Sequence, residues 1–275
     1  MYVSLNTYTL VVLLLYLSLN ILMNASNMSP FLFVTDLDNT LVGDDSALIE
    51  LNHQLANHRE KYSSKIVYAT GRSLYLYRLL AEAKSLLPPD ALITAVGTEM
   101  YFDRNQEQSD PEWSRILEQG WNRQAIEAIS DQFKQLQYQP KSEQNPFKIS
   151  YYLAEAVAEE TIVNLKAALI EQGYGIKIIY SAGQDLDLLP RNGDKGLAVQ
   201  FLRQRWGITP EKTIVCGDSG NDISMFQGQE KGVIVSNAKP ELLEWYETNR
   251  DQNHHLAQYP CAGGILEGLK HFNLL

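Results

Sequence analysis

Two acidic pairs carry the chemistry open to this chain. Asp36 and Asp38 lie in Val34-Thr-Asp-Leu-Asp-Asn-Thr40, and Asp218 and Asp222 lie in Val215-Cys-Gly-Asp-Ser-Gly-Asn-Asp222. Each stretch follows an apolar run, so each reads as the C-terminal tip of a strand in a parallel sheet. Four carboxylates gathered at one sheet edge repel one another unless a positive charge sits among them. A hard cation with oxygen ligands is the economical partner, and such a cation serves phosphate chemistry. In Asp36-x-Asp38, alternate residues at a strand tip can share one crevice, where one carboxylate attacks phosphorus and its neighbour moves a proton. A calcium loop is the rival reading. It wants Gly at its sixth place and Glu at its twelfth, where the chain has Leu41 and Ala47.

Further stretches suit phosphate. Thr70-Gly71-Arg72 ends an apolar run with a hydroxyl and free backbone amides at a helix start, which makes a phosphate cradle. Lys195, at another helix start in Asn192-Gly-Asp-Lys-Gly196, can neutralise a phosphoryl oxygen. Taken singly, the first is equally ordinary helix capping and the second an ordinary solvated lysine. Capping does not account for the concentration of acids and glycines at 217–222.

The elements that must position these residues alternate. Strands are expected at Phe31–Val34, Lys65–Ala69, Ala91–Val96, Thr213–Val215 and Gly232–Val235. Helices are expected after Ser73 until Pro88-Pro89, after Lys195, near Met225 and from Pro240. Repeated strand-helix units imply an α/β fold, a Rossmann-like parallel sheet with helices on both faces. Ligands in such sheets bind beyond the carboxyl ends of the strands, where both acidic pairs fall.

The middle of the chain differs. A helix is expected over 111–136, a strand over 147–152, a second helix over 155–172 and a second strand over 175–180. Ile149, Tyr151 and Leu153 alternate with Lys148, Ser150 and Tyr152, which gives that sheet one polar face. The expected organisation is a core domain of residues 28–104 and 186–275 with an inserted α+β cap domain at 105–185. Trp113, Trp121 and Phe133 are expected in the cap's own core.

Residues 1–27 match neither part. No charged residue precedes Asp36, and Leu10 to Met23 is nearly all apolar. That run is short for a membrane span, which takes about 20 residues, and it lacks the basic start of an export signal. The expectation is a native start at Met28 with an upstream extension before it, against the alternative of an anchor or export signal.

A formal charge of −10 argues against a nucleic-acid partner. Two distant cysteines, Cys216 and Cys261, suit a reducing compartment, and a cytoplasmic location is expected. The five histidines show no metal-ligand spacing, and His254-His255 reads as surface. Gly263-Gly264 reads as a turn before a last helix.

In this order the motifs resemble the four motifs of the haloacid dehalogenase superfamily. The branch resembled is the sucrose-phosphate phosphatase family of plants and cyanobacteria. That likeness runs from about Met28 to the C-terminus. Asn145-Pro-Phe-Lys-Ile-Ser-Tyr151 and Asp185-Leu-Asp-Leu-Leu-Pro190 narrow it to the branch. The resemblance implies a Mg²⁺-dependent phosphatase acting on sucrose 6-phosphate, with Asp36 as nucleophile and Asp38 as acid and base. It implies magnesium held by the Asp36 side chain, the Asp38 carbonyl and Asp218, with Asn221 and Asp222 orienting those ligands. Thr70 and Lys195 would bind phosphoryl oxygens beside Gly71 and Arg72.

Lys148, Ser150, Asp185 and Glu99 are the candidates for sugar contacts, with simple solvation as the alternative for each. Rival readings are a phosphatase of another sugar phosphate, such as glucosylglycerol phosphate or a mannosyl-glycerate phosphate, a phosphoryl-transferring mutase, and a non-catalytic partner of sucrose-phosphate synthase. The sugar phosphate is the expected small-molecule partner, with sucrose-phosphate synthase as a further candidate.

Overall fold

The computed structural model describes residues 29–103 and 105–275, so the reading of 1–27 as a leader lies outside the described residues. The chain starts β1 (Leu32–Thr35), α1 (Asp45–Tyr62), β2 (Lys65–Ala69), α2 (Leu74–Lys84), β3 (Ala91–Thr94) and β4 (Glu99–Tyr101). The middle carries α3 (Pro111–Leu117), α4 (Arg123–Ser130), β5 (Gln137–Tyr138), β6 (Ile149–Tyr152), α5 (Glu155–Glu171), β7 (Ile176–Ser181) and β8 (Asp185–Pro190). It ends with α6 (Lys195–Arg205), β9 (Thr213–Gly217), α7 (Ile223–Phe226), β10 (Lys231–Ile234), α8 (Pro240–Asn249), β11 (His254–Leu256) and α9 (Cys261–His271).

Seven strands form one sheet in the order β11-β10-β9-β1-β2-β3-β4, parallel except where β4 returns along β3. The chain leaves β1 toward β2 and β3, then comes back to pair β9 on β1's other side. That reversal of direction is where open α/β sheets form ligand crevices. The register Val34↔Val215 and Thr35↔Cys216 brings the two acidic stretches side by side at the sheet's carboxyl edge.

Burial on both faces makes the central strands continuous apolar runs. Phe33 and Cys216 face α1 and α9, while Leu32, Val34 and Val215 face α6 and α8. Helix ends are fixed by side chains: Asp44 accepts from the Ala47 amide at 3.0 Å and Asp194 from the Leu197 amide at 2.7 Å. The expected α/β sheet is thus the one observed.

A second, antiparallel sheet has the order β5-β6-β8-β7. Ile149, Tyr151, Leu186 and Leu188 cover one face and pack with Ile126, Leu165 and Leu169 from α4 and α5. The other face carries Lys148, Ser150 and Asp187, and all three are buried.

Four expectations need correction. The helix over 111–136 is two helices, because Gly120 turns left-handed (φ 74°) and Asn122 caps a new start at Arg123 by accepting the Ala125 amide. Trp113 joins the large sheet's core, donating its indole N–H to the Gly97 carbonyl at 3.0 Å, whereas Trp121 and Phe133 pack in the small sheet's core. Residues 186–190, assigned to the large-sheet half, belong to β8, where Leu186 and Leu188 fill the small core. Gly263 and Gly264 lie inside α9 rather than in a turn before it. A side chain at Gly264 would come within 2.4 Å of the Tyr259 carbonyl, so the residue serves close packing.

Gly97 links the sheet to the site's lysine helix. It has φ 92°, and a Cβ there would lie 2.2 Å from the Asp194 carbonyl carbon and 2.5 Å from the Lys195 amide. Gly97→Ala is expected to lower stability by about 1–3 kcal/mol, the usual scale for overpacking, read as a lower urea midpoint. An unchanged midpoint would mean that this contact relaxes without cost.

Candidate active site

Asp36 extends β1 by one ladder bond, its amide donating to the Cys216 carbonyl at 2.9 Å. Its carboxylate is buried and meets Lys195 Nζ at 2.7 Å. The same ammonium, fully buried at the first residue of α6, reaches Asp222 Oδ1 at 2.7 Å. The other oxygen of Asp222 accepts the Asp218 and Ser219 amides at 2.9 and 3.0 Å. Asp222 therefore shapes its own loop, with both carboxylate oxygens engaged. Gly217 permits this, since a Cβ there would sit 2.5 Å from Asp222 Cβ.

Asp218 Oδ1 accepts the Thr40 hydroxyl at 3.0 Å, which ties the second acidic stretch back to the first. Oxygens of Asp36, Asp218 and Asp222 all lie within 4.8 Å of one another. Asn221 Oδ1 is buried with no hydrogen-bond partner among the described residues. Three carboxylates and an unsatisfied amide oxygen are hard donors, and the set fits a divalent cation.

Burial, then its acidic neighbours Asp222 and Asp218, hold the Asp36 carboxyl well above the usual range despite Lys195. Burial and Asp222 push Asp218 up to about 7. Burial alone would strip the proton from Lys195, but Asp222 and Asp36 outweigh it and the ammonium is held charged.

Asp38 departs from this cluster. Arg72 grips it with both arms of the guanidinium, Nε to Oδ2 and NH2 to Oδ1, each at 2.7 Å. The Asp38 pair raises the Arg72 pKa. Thr70 is fully buried and its hydroxyl accepts the Arg72 amide at 3.1 Å. A Cβ on Gly71 would lie 3.6 Å from Asn221 Nδ2, so the two phosphate-type loops face each other closely.

A cleft of about 500 Å³ opens above these residues, with Asp36, Asp38 and Arg72 on one wall and Lys148, Asp185 and Asp187 on the other. Lys148 Nζ stands 3.3 Å from Asp187 Oδ1, and the Ser150 hydroxyl donates to the same oxygen at 2.5 Å. Ser150 thus braces Asp187 from behind instead of lining the cleft. Asp185 accepts Gln139 Nε2 at 2.9 Å, and burial with the Asp187 charge raises its pKa.

Glu99 lies apart from the cleft. On β4 it faces Thr94 across the strand pair and accepts that hydroxyl at 2.7 Å. Three contributors escape the sequence reading: Gln139, Asp187 and the loop after β10. In that loop the Asn237 amide donates to the Asn39 carbonyl at 2.8 Å and the Lys239 amide to the Asp218 carbonyl at 2.7 Å. Asp187 had a signal, since it shares a strand face with Asp185; the loop had none.

Residues 29–273 match the family model described as sucrose-6F-phosphate phosphohydrolase. The chain belongs to this family. Its fold is of the haloacid dehalogenase type.

A probable sucrose-phosphatase 2 of Arabidopsis thaliana is 37% identical over 253 residues, covering 88% of this chain and 60% of that protein. The chain therefore spans about three fifths of the length of the plant relatives it matches. A mannosylfructose-phosphate phosphatase of Agrobacterium fabrum is 31% identical, over 88% of this chain and 97% of that one. The solved sucrose-phosphatase of Synechocystis, in complex with sucrose and phosphate, is 43% identical with a TM-score of 0.82, covering 90% of this chain and 99% of that one.

In this sucrose-6F-phosphate phosphohydrolase family member a divalent cation held by the acid cluster would compete with protons there. An unfolded aspartate releases its proton near pH 4, whereas native Asp218 keeps it up to about pH 7. The native state holds the extra proton in that window, so this stabilising contribution is lost as pH rises through it. A divalent cation bound there would take the proton's place. The rise in thermal midpoint on adding the cation is therefore expected to grow from about pH 5 to 7.5. A gain independent of pH would place the ion elsewhere.

Proposed function

We propose that the chain hydrolyses sucrose 6-phosphate to sucrose and phosphate through a phosphorylated Asp36. The observation that carries this reading is the single cleft with Asp36 and Asp38 on one wall and the buried polar set of the small sheet on the other. The 43% identity to a sucrose-phosphatase solved with sucrose and phosphate supports the choice of sugar.

Asp36 attacks phosphorus, the bond from phosphorus to the sugar oxygen breaks, and Asp38 gives that oxygen a proton. Asp38 then takes a proton from water, whose oxygen displaces Asp36 from phosphorus and regenerates the carboxylate. Lys195 holds Asp36 in line and keeps a positive charge beside it. Thr70 and the Gly71 loop receive phosphoryl oxygens, while Asn221 and Asp222 fix the loop that carries Asp218. Asp36, the Asp38 carbonyl and Asp218 would hold Mg²⁺, which would supply positive charge for the phosphoryl oxygens. The ion pair with Arg72 holds the Asp38 side chain in place until an incoming phosphoryl group draws the guanidinium away.

The unit built on the four-stranded sheet acts as the cap that selects the sugar, with Lys148, Asp185 and Asp187 presenting charge to hydroxyls. Two free thiols, Cys216 and Cys261, suit a cytoplasmic setting, where sucrose-phosphate synthase supplies the substrate. Among the described residues no helix is long and apolar enough to cross a membrane. A second reading, a phosphatase of another fructose-containing disaccharide phosphate, draws on the Agrobacterium relative.

Phosphate release with magnesium from sucrose 6-phosphate, mannosylfructose phosphate, trehalose 6-phosphate and fructose 6-phosphate decides between the readings. The expected outcome is a preference for the first; comparable rates on all four would mean a broad sugar phosphatase. Asp36→Asn is expected to fold and to lose turnover almost completely, and Asp38→Asn to lose about 10²–10⁴-fold in kcat. Wild-type turnover by Asp36→Asn would sink the covalent route.

A further inference from the structure

Glu241 occupies the first turn of α8, outside the acid cluster and outside the cleft's polar set. Its Oε1 accepts two backbone amides from different parts of the molecule. One is Ala182, in the turn joining β7 to β8, at 3.0 Å. The other is Gly220, at 3.3 Å, in the loop that carries Asp218, Asn221 and Asp222. Ala182 is left-handed (φ 54°), so its amide is turned out of the β7–β8 ladder toward the large sheet.

The approach is close enough to exclude a side chain at Gly220. A Cβ there would lie 2.8 Å from the Tyr180 carbonyl and 2.9 Å from Glu241 Cγ. Ser181 and Ala182 themselves line the cleft. One carboxylate oxygen therefore ties the edge of the small sheet to the loop that holds Lys195 in place through Asp222.

We propose that Glu241 is a positioning residue that seats the small-sheet unit against the 217–222 loop, so that the wall facing the sugar is held in register with the acid cluster. This inference rests on the phosphatase reading above and deepens it. A charge that merely favoured the start of α8 would need no amide from the far side of the cleft. With the carboxylate in place, undocking the small sheet leaves the Gly220 amide sharing its acceptor with no one. Seating it closes a three-way contact whose charge-assisted bonds are stronger than neutral ones.

The test compares Glu241→Ala and Glu241→Gln with the wild-type chain on two substrates. Sucrose 6-phosphate, or whichever sugar phosphate the panel selects, requires the small-sheet unit, whereas acetyl phosphate has nothing for that unit to hold. Glu241→Ala is expected to lower kcat/KM about tenfold for the sugar phosphate, chiefly through KM. It should leave acetyl phosphate turnover within about twofold. Glu241→Gln keeps an acceptor oxygen and is expected to recover most of the loss.

Amide exchange measured without substrate should speed up at Ala182 and Gly220 together in Glu241→Ala. Equal losses on both substrates, or faster exchange at Gly220 alone, would overturn the coupling and leave a local role in the loop. If the wild-type chain hydrolysed acetyl phosphate but none of the sugar phosphates, the substrate reading would fail while the exchange result still decided the coupling.

Discussion

Everything at the carboxyl edge of the large sheet depends on one buried ammonium. Lys195 is fully buried and bridges Asp36 and Asp222, with Asp218 close by. Three carboxylates against one ammonium leave the cluster short of positive charge, and ions out of water are costly unless paired. The molecule answers with backbone amides on Asp222, a hydroxyl on Asp218, and carboxyl groups whose proton affinity is raised. The remaining deficit is what fits the site for a divalent cation.

That balance is built by topology rather than by neighbouring sequence. β1 and β9 pair directly, so residues far apart in the chain end on adjacent strands, and α6 arrives from a third segment with Lys195 at its first residue. Glycines permit the close approaches: Gly217 beneath Asp222, and Gly97 against the backbone before Lys195. The lysine helix is thus positioned by contact with the β3–β4 turn as well as by its charges. A small displacement of any of the three loops would separate an ion pair in a region from which water is excluded.

Much of this was legible in the chain. The apolar runs before Asp36 and Asp218 are short, uninterrupted and end in acids, and they did become adjacent parallel strands. Lys195 could be placed at a helix start because Asp194 is a capping residue. What escaped was what only the third dimension supplies. Glu99 looked available beyond a strand, but the antiparallel return of β4 turned it onto Thr94. Arg72 was read as a substrate contact; it does line the cleft, and its match to the Asp38 carboxylate is what the sequence did not show. Trp113 lay near other aromatics in sequence, yet its indole N–H found a carbonyl of the large sheet. Ser150 was correctly placed on the polar face, but Asp187 lies directly across the ladder and takes its hydroxyl.

The polar face of the small sheet explains why the cleft works as one compartment. Lys148, Ser150 and Asp187 are buried together, so their mutual bonds are made in a medium that strengthens each of them. Such a set has few free rotamers, and it offers its unused donors and acceptors to the cleft at fixed positions. A neutral sugar has only hydroxyls with which to be recognised, and a rigid charged wall discriminates hydroxyl positions better than flexible surface side chains could. Under the proposed function the opposite wall has the reverse problem, because it would accept the same phosphoryl charge whatever sugar is attached. Separating the two tasks onto two sheets lets specificity change on one wall without disturbing the balance of charge around Lys195. The Agrobacterium relative, a phosphatase for a different disaccharide phosphate at 31% identity, is consistent with that division.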